Sequence, residues 1–461
     1  MELRRQLGLP EAVGLSLSII APTMAMAFNV TLAVGSAGAA APLAFAIGTV
    51  LLAVVGLSFV AFAKREPGAG SAQAYVAKRF GPRAGFLTGW ALLLSYLCFG
   101  SGTAVLVGNF LAAALRPLGV APAGLWLAVA FAALGFSLWL SWRDMRLAAR
   151  LMLAMELLSV LAIVWLGVRI LNTVAATGPL PLAPFHPDPA SGWAGIGAAL
   201  VFAVLSFAGF EGAATLAEET RHPQRAIPVA VLGTVLLAGV FFVFTAYVQV
   251  VGFGLDHLAD LAKDSAPLDT LALRYGSPQL GMALNIAAAM SAFSCVLGSL
   301  NAAARMAMVL ARQRAPLHGF ASSTAMESGL THPLAKVHAE HGTPANALLA
   351  CAGLMAVGVA LWSPWVGPGA YYGAIGTIGT LALILVYMGV TGAHAARAWS
   401  EAHIASALAG CAGAVVLAWP LYNSVYPVPA YPANLWPYAV AGWLAVGWLY
   451  WRQRLSSAAT A

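Results

Sequence analysis

With 461 residues, 61% of them hydrophobic and only 8% charged, the chain lacks the polar side chains to cover a water-soluble globule, whose charged fraction is about 25%. Its net charge of +7 comes from basic residues scattered between apolar stretches, a topology signal and not a nucleic-acid-binding patch. What remains is an all-α polytopic membrane protein with the lipid bilayer as its solvent and no nucleic acid as partner; the alternating pattern of a membrane barrel is absent.

A hydrocarbon core of ~30 Å takes ~20 apolar residues per helix. On that measure the sequence predicts twelve transmembrane helices, near 11–36, 41–63, 85–115, 122–141, 147–172, 192–217, 226–252, 280–310, 344–363, 369–392, 401–423 and 433–452. The first is long, contains Pro22 and is followed at once by another, so it reads as a span and not as a cleaved signal. With a cytoplasmic N-terminus, all but four of the 23 Lys and Arg residues fall on cytoplasmic connections and span ends. The exceptions are Arg116, Arg169, Lys263 and Arg274. That bias predicts both termini inside. Arg outnumbers Lys 19 to 4 and alanine is abundant, which points to a GC-rich bacterial genome and hence the cytoplasmic (inner) membrane.

Two predicted spans carry helix-breaking signals. In the first, Ser18-Ile-Ile-Ala-Pro-Thr-Met-Ala-Met-Ala-Phe-Asn29, Pro22 removes a backbone donor and disfavours helix at Ala21. In the sixth, Ser206-Phe-Ala-Gly-Phe-Glu-Gly212, glycines favour unwinding, and Glu211 puts a carboxylate where the hydrocarbon makes charge costly. Such broken helices at matching positions of two inverted repeats are where transporters bind their substrate. The predicted organisation is one transmembrane domain over 1–461: a five-helix repeat over 11–172, a second, inverted one over 192–392, and two additional helices over 401–452. The positive end of a half-helix suits a carboxylate and unwound carbonyls suit an ammonium, which is complementary to an amino acid or a related amine. The alternative reading of either segment alone is a kink at Pro22 and close glycine packing.

Elsewhere the chain says less. The outer connection 253–279 carries Asp256, Asp260, Asp264 and Asp269 and predicts a small extracellular helix or lid, its acidic residues a solvated face. The cytoplasmic stretch 313–343 holds His318, His332, His338 and His341 at irregular spacing, which predicts no metal site. All nine histidines fall outside the predicted spans or at their ends. Cys98, Cys295, Cys351 and Cys411 lie in apolar stretches with no metal-ligand spacing and read as core or lipid-facing residues.

The motifs together resemble a known family, the amino acid–polyamine–organocation transporters of the leucine-transporter-type fold. Pro67-Gly-Ala-Gly-Ser-Ala-Gln-Ala-Tyr75 with Phe80-Gly81 and Gly89-Trp90 is similar to that family's segment after the second span. Phe207-Ala-Gly-Phe-Glu-Gly, then Glu218-Glu219 and Pro223-Gln-Arg225-Ala-Ile-Pro228, resembles its sixth-span pattern. Asn301-Ala-Ala-Ala-Arg305 and Thr343-Pro344-Ala-Asn346-Ala match its eighth- and ninth-span motifs. Members commonly carry Gly-Ser-Gly-Ile in the first break, where Ala21-Pro22-Thr23-Met24 stands here. Some members place a lysine in the fifth span at the sodium position; Glu156 occupies the comparable stretch.

The resemblance implies a substrate pocket at Ile20, Ala21, Pro22, Thr23, Met24 and Ala25 and at Phe207, Ala208, Gly209 and Phe210, with an aromatic of the second break as a gate. Core packing is the alternative for Phe207 and Phe210. Glu211 is a candidate proton acceptor; its alternative is to accept hydrogen bonds from the unwound backbone of the first span. Glu156 is a candidate for a proton or sodium ion, or for pairing with Arg305 or a hydroxyl. Glu218, Glu219, Arg225 and Arg305 form a candidate cytoplasmic gate, with plain surface charge as the alternative. Tyr96, Asn285, Ser291, Ser294, Tyr371 and Tyr372 are polar groups inside spans, read as pathway lining or interhelical bonds. No organic cofactor or metal is expected, the coupling ion being H+ or Na+. The function expected is a secondary permease for an amino acid or related amine, proton-coupled or an exchanger, with a sodium-coupled symporter using Glu156 or a polyamine or other organic-cation carrier as the alternatives; an enzyme is not expected, because no cluster of catalytic residues lies at membrane depth. A channel would show filter loops or charge rings, and no nucleotide-binding loop is present.

Overall fold

A computed structural model of the chain describes residues 20–65, 72–120, 122, 124–142, 146–211, 223–313, 333–336 and 343–459. Among these, every regular element is a helix. A chain in hydrocarbon must satisfy its backbone within each segment, and a helix does so without a partner. The elements are α1 (Pro22–Ala37), α2 (Ala41–Arg65), α3 (Ala72–Phe80), α4 (Pro82–Leu115), α5 (Leu125–Trp142), α6 (Arg146–Ala175) and α7 (Gly192–Ser206). There follow α8 (Pro223–Phe253), α9 (Pro267–Tyr275), α10 (Pro278–Arg312), α11 (Ala345–Val366), α12 (Pro368–Ser400), α13 (Ile404–Asn423) and α14 (Trp436–Ala459). Helices α1, α4, α8, α9, α10 and α12 begin with proline, which has no N–H to leave unpaired in a first turn.

Nine helical stretches among the described residues are long and apolar enough to cross a membrane. The first of these, Pro22–Lys64, contains two helices, because the turn Gly38–Ala40 reverses the chain between α1 and α2. Gly38 has φ +56 there, a conformation open to glycine and strained for other residues. Helix α7 is apolar but shorter, ending at Ser206. Each of the twelve predicted segments overlaps one of the helices α1, α2, α4 to α8 and α10 to α14.

Helix α4 is the centre of the bundle: α10 lies along it, and α12, α5, α11 and α14 pack on other faces. Helix α2 runs beside α8, and α1 beside α7. Close approach comes from small residues, as expected where helices pack without a hydrophobic drive. A Cβ on Gly108 of α4 would collide with the Trp126 carbonyl of α5, and one on Gly239 of α8 with the Thr49 side chain of α2. The last helix is held by a reciprocal pair. The Trp90 indole N–H donates to the Trp443 carbonyl at 2.8 Å, the Trp443 N–H donates to the Trp90 carbonyl at 2.8 Å, and the rings stack 4.9 Å apart. The apolar side chains of Leu157, Leu161 and Trp165 on α6 and of Leu354, Val357 and Leu361 on α11 are exposed, the outer surface a bilayer would cover.

The connection between α8 and α10 is helical, as expected: a short turn of helix at Leu258–Leu261 and then α9. It is tied down over the bundle. The Asn109 amide donates to the Ser265 carbonyl at 2.9 Å, and Asp264 accepts from the Ala266 N–H at 2.8 Å and the Thr270 hydroxyl at 2.6 Å. One sequence expectation is corrected here. His394 is buried inside α12, not outside a span, because α12 continues to Ser400. Its ring nitrogens lie 2.9 Å from the hydroxyls of Ser58 on α2 and Ser406 on α13. The other four histidines singled out, His318, His332, His338 and His341, lie outside the described residues.

The α4–α5 crossing generates a stability test. Gly108→Val is expected to lower the melting temperature of the detergent-purified protein by several degrees, overpacking costing about 1–3 kcal/mol. Gly135→Val on α5, where a Cβ meets open space, is expected to leave it unchanged; equal melting of the two variants would refute the tight crossing.

Candidate functional site

The first break falls at Ala21. Ile20 is helical, Ala21 is left-handed at φ 50 and ψ 60, and Pro22 opens α1. A left-handed alanine costs about 1–2 kcal/mol, and the surroundings hold it there: residues 20 to 25 are all buried. Proline explains the position of the break. It removes a backbone donor and disfavours helix at the residue before it, but it starts a new helix without loss.

A helix start leaves N–H groups without partners, and at α1 each is accounted for. Pro22 has none. The Thr23 N–H donates to Oε1 of Glu156 on α6 at 2.6 Å. The Met24 N–H donates to Oγ of Ser291 on α10 at 3.1 Å. The Ala25 N–H donates to the Ala21 carbonyl at 3.0 Å, the first rung of the new helix. The Thr23 and Ser159 hydroxyls are 2.8 Å apart. Ser159 lies one helical turn beyond Glu156, and its hydroxyl is also 2.8 Å from the Met155 carbonyl and 2.9 Å from the Glu156 carbonyl. Glu156, at 7% exposure, thus caps a helix from another part of the chain.

The second break follows α7. Residues 207 to 211 form successive tight turns, with the N–H groups of Phe207, Ala208 and Phe210 donating to the carbonyls of Val204, Leu205 and Phe207. Gly209 takes φ +104, which its lack of a side chain allows. That turn aims the Gly209 N–H at Oε2 of Glu211, 3.1 Å away, and the hydroxyl of Tyr387 on α12 donates to the same oxygen at 2.8 Å. Glu211 is as buried as Glu156. Among the described residues neither carboxylate forms an ion pair.

Buried polar bonds tie α1 to α7, α12 and α8. The Asn29 amide of α1 donates to the Ser206 hydroxyl at the end of α7 (2.7 Å), and its carbonyl oxygen accepts from Tyr372 of α12 (2.8 Å). The Gln249 amide of α8 donates to the Met26 carbonyl at 2.8 Å.

The residues singled out from the sequence fall as follows. Ile20 to Ala25 and Phe207 to Glu211 line the two breaks, and Glu156 meets the first of them. Glu156 does not pair with Arg305, which is exposed on α10; its partners are an N–H and hydroxyls. The backbone of α1 does not reach Glu211; Gly209 and Tyr387 do. Phe207 and Phe210 are fully buried, Phe207 edge-on to Phe242 at 4.8 Å and Phe210 against Phe59 and Tyr387 at 5.7 and 5.4 Å. Glu218 and Glu219 lie outside the described residues, as does the side chain of Arg225. Ser159 escaped the sequence reading although its spacing from Glu156 puts both on one helix face. Tyr387 and Ser206 carried no signal, since their partners are distant in the chain.

Residues 7–446 match the model of a family described as amino acid permease. The low-affinity putrescine importer PlaP of Escherichia coli (strain K12) is 31% identical over 256 residues, 54% of this chain and 54% of its own length. The matched segment therefore spans about half of that relative. The branched-chain amino acid permease BcaP of Lactococcus lactis subsp. cremoris (strain MG1363) is 26% identical over 57% of this chain and 60% of its own. An uncharacterized transporter of Mycobacterium tuberculosis (strain ATCC 25618 / H37Rv) is 30% identical over 68% and 67%. Among solved structures, the substrate-bound outward-open state of a Na+-coupled sialic acid symporter superposes with a TM-score of 0.50 at 15% identity, covering 90% of each chain. The likeness is one of fold, the leucine-transporter type. The relatives are transporters and not enzymes. The chain belongs to the amino acid permease family, within the amino acid–polyamine–organocation group that its motifs resemble.

Proposed function

We propose that this permease carries an amino acid or a related amine across the cytoplasmic membrane by alternating access about the two helix breaks, with a proton as the coupling ion or by exchange. One observation carries the reading: α1, which opens at the first break, packs against α7, which ends at the second, and Asn29 of α1 bonds Ser206 at the end of α7. Backbone irregular at membrane depth is tolerated where it lines a cavity or is buried in protein, and here each break adjoins a buried carboxylate. Twelve crossings, arranged as two inverted five-helix repeats with two helices added and both termini cytoplasmic, agree with the segments that hold helices and with the Lys and Arg distribution. The breaks then fall on the first helix of each repeat.

Glu211 is the proton acceptor in this reading. Glu156 is engaged by the first turn of α1, which favours a holding role for it and leaves coupling to Glu211. Tyr387 keeps the Glu211 carboxylate oriented. Phe210, between Phe59 and Tyr387, is the aromatic that moves when the site opens. Glu218, Glu219, Arg225 and Arg305 close the cytoplasmic side.

Counterflow in proteoliposomes tests carrier behaviour: trans-loaded substrate is expected to drive accumulation of labelled substrate, and flux with no trans-stimulation would count for a channel. Glu211→Gln is expected to fold normally and to lose the pH dependence of uptake, and an unchanged pH profile would remove the proton role. Tyr387→Phe deletes one hydrogen bond to a charged acceptor, worth about 1.5–3 kcal/mol. It is expected to shift the pH profile while leaving counterflow at fixed pH measurable.

A further inference from the structure

Two arginines far apart in the chain meet at one indole. Arg83 stands in the first turn of α4, and its guanidinium carbon lies 5.7 Å from the centre of the Trp448 ring. Arg452, one turn beyond Trp448 on α14, lies 4.9 Å from the same ring. Aromatic packing fixes the place: Trp90 stacks on Trp443 and Phe86 lies 5.0 Å from Trp451. Helix α14 therefore runs antiparallel to α4, and its basic end lies beside the start of α4. Each guanidinium is attracted to the ring face, but the ring gathers two like charges whose repulsion it does not remove. Arg83 is disfavoured further, because the first turn of a helix is its positive end. The sequence has no Asp or Glu over 67–143 or over 402–461. Neither α4 nor α14 supplies an anion, and neither does α3, which ends in Lys78-Arg79-Phe80.

We propose that this corner, where α4 begins beside the end of α14, binds the headgroup of an anionic phospholipid, its phosphate held by Arg83 and Arg452 against Trp448. The inference concerns the bilayer and not the cargo, so it stands or falls apart from the transport reading above. Both arginines are exposed, and a guanidinium matches a pair of phosphate oxygens with two parallel N–H donors. A tryptophan ring belongs at headgroup level, where one side is wet and the other apolar. Val446 and Leu449 on α14, close to Trp448 in the chain, are 54% and 52% exposed, and Phe80 at the end of α3 is 50% exposed. These apolar side chains beside the cations offer acyl chains a surface that a free phosphate ion would not use. A headgroup seated there ties α14 to α4 at a second point, beyond the Trp90–Trp443 pair.

The test uses purified full-length protein, stripped of lipid in a neutral detergent and titrated with dioleoylphosphatidylglycerol or dioleoylphosphatidylcholine, with retained lipid read by native mass spectrometry. The two lipids share acyl chains and a phosphate and differ in net charge. The phosphatidylglycerol is expected to be retained about tenfold more tightly or better, since one arginine near an anionic headgroup contributes about fivefold. Arg83→Gln or Arg452→Gln is expected to weaken its retention about fivefold, and the double variant about twenty-five-fold. Arg169→Gln removes a cation 5.5 Å from the Trp165 ring on α6 and is the matched control, expected to change nothing. Equal retention of the two lipids, or the same loss in Arg169→Gln as in the double variant, overturns the proposal. Displacement of the lipid by millimolar inorganic phosphate marks a free-phosphate site and overturns it too. Photoactivatable phosphatidylglycerol tests the unaltered protein, with no dependence on how the variants fold. Its crosslinks are expected on the peptides that carry Arg83 and Trp448, and labelling confined to other helices overturns the assignment.

Discussion

An N–H group in hydrocarbon must find an acceptor, and at the start of α1 the acceptor comes from a residue 133 positions away. Much of the centre of the molecule follows from that need. Pro22 breaks the helix and removes one donor; the next two still have to be met, and no residue of α1 can meet them. Helix α6 supplies a carboxylate and α10 a hydroxyl. Three helices far apart in sequence are thereby fixed at one point, with the left-handed Ala21 at its centre. Without those acceptors the break would leave bare dipoles in a medium that cannot solvate them, at a cost of several kcal/mol.

The second break solves the same problem locally. Its turns consume their own N–H groups, and Glu211 folds back on Gly209 two residues before it. Among the described residues the two breaks are unlike: the first is held by side chains of α6 and α10, the second by its own turns, with Tyr387 on Glu211 and Asn29 on Ser206. A break satisfied from within loses little when its neighbours move, whereas one satisfied from two other helices moves only with them.

Much of this was legible in the sequence. The apolar segments, the reversal after α1, Pro22 as a break and the glycines around Glu211 are local signals, and local signals survive without tertiary information. Glu156 and Glu211 were legible as anomalies because charge at membrane depth is costly wherever it occurs. Their partners were not. Whether Glu156 meets an arginine, an ion or an N–H depends on which helices touch, and nothing in residues 152 to 160 encodes that α1 begins opposite them. His394 was misread because a span boundary drawn on hydropathy stops where polar residues begin, while the helix continues eight residues further, from 392 to Ser400. The helix is sustained there by packing and by hydroxyl partners on α2 and α13.

Helix α12 touches both α1 and the second break. Tyr372 bonds Asn29 of α1, and Tyr387, on the same helix, bonds Glu211. Fifteen residues separate the two hydroxyls' parent positions, about 22 Å along the axis at 1.5 Å per residue. A continuous α-helix of that length behaves as a stiff rod gripped at two points. One continuous helix thus holds a residue of α1 and the Glu211 carboxylate at a set separation.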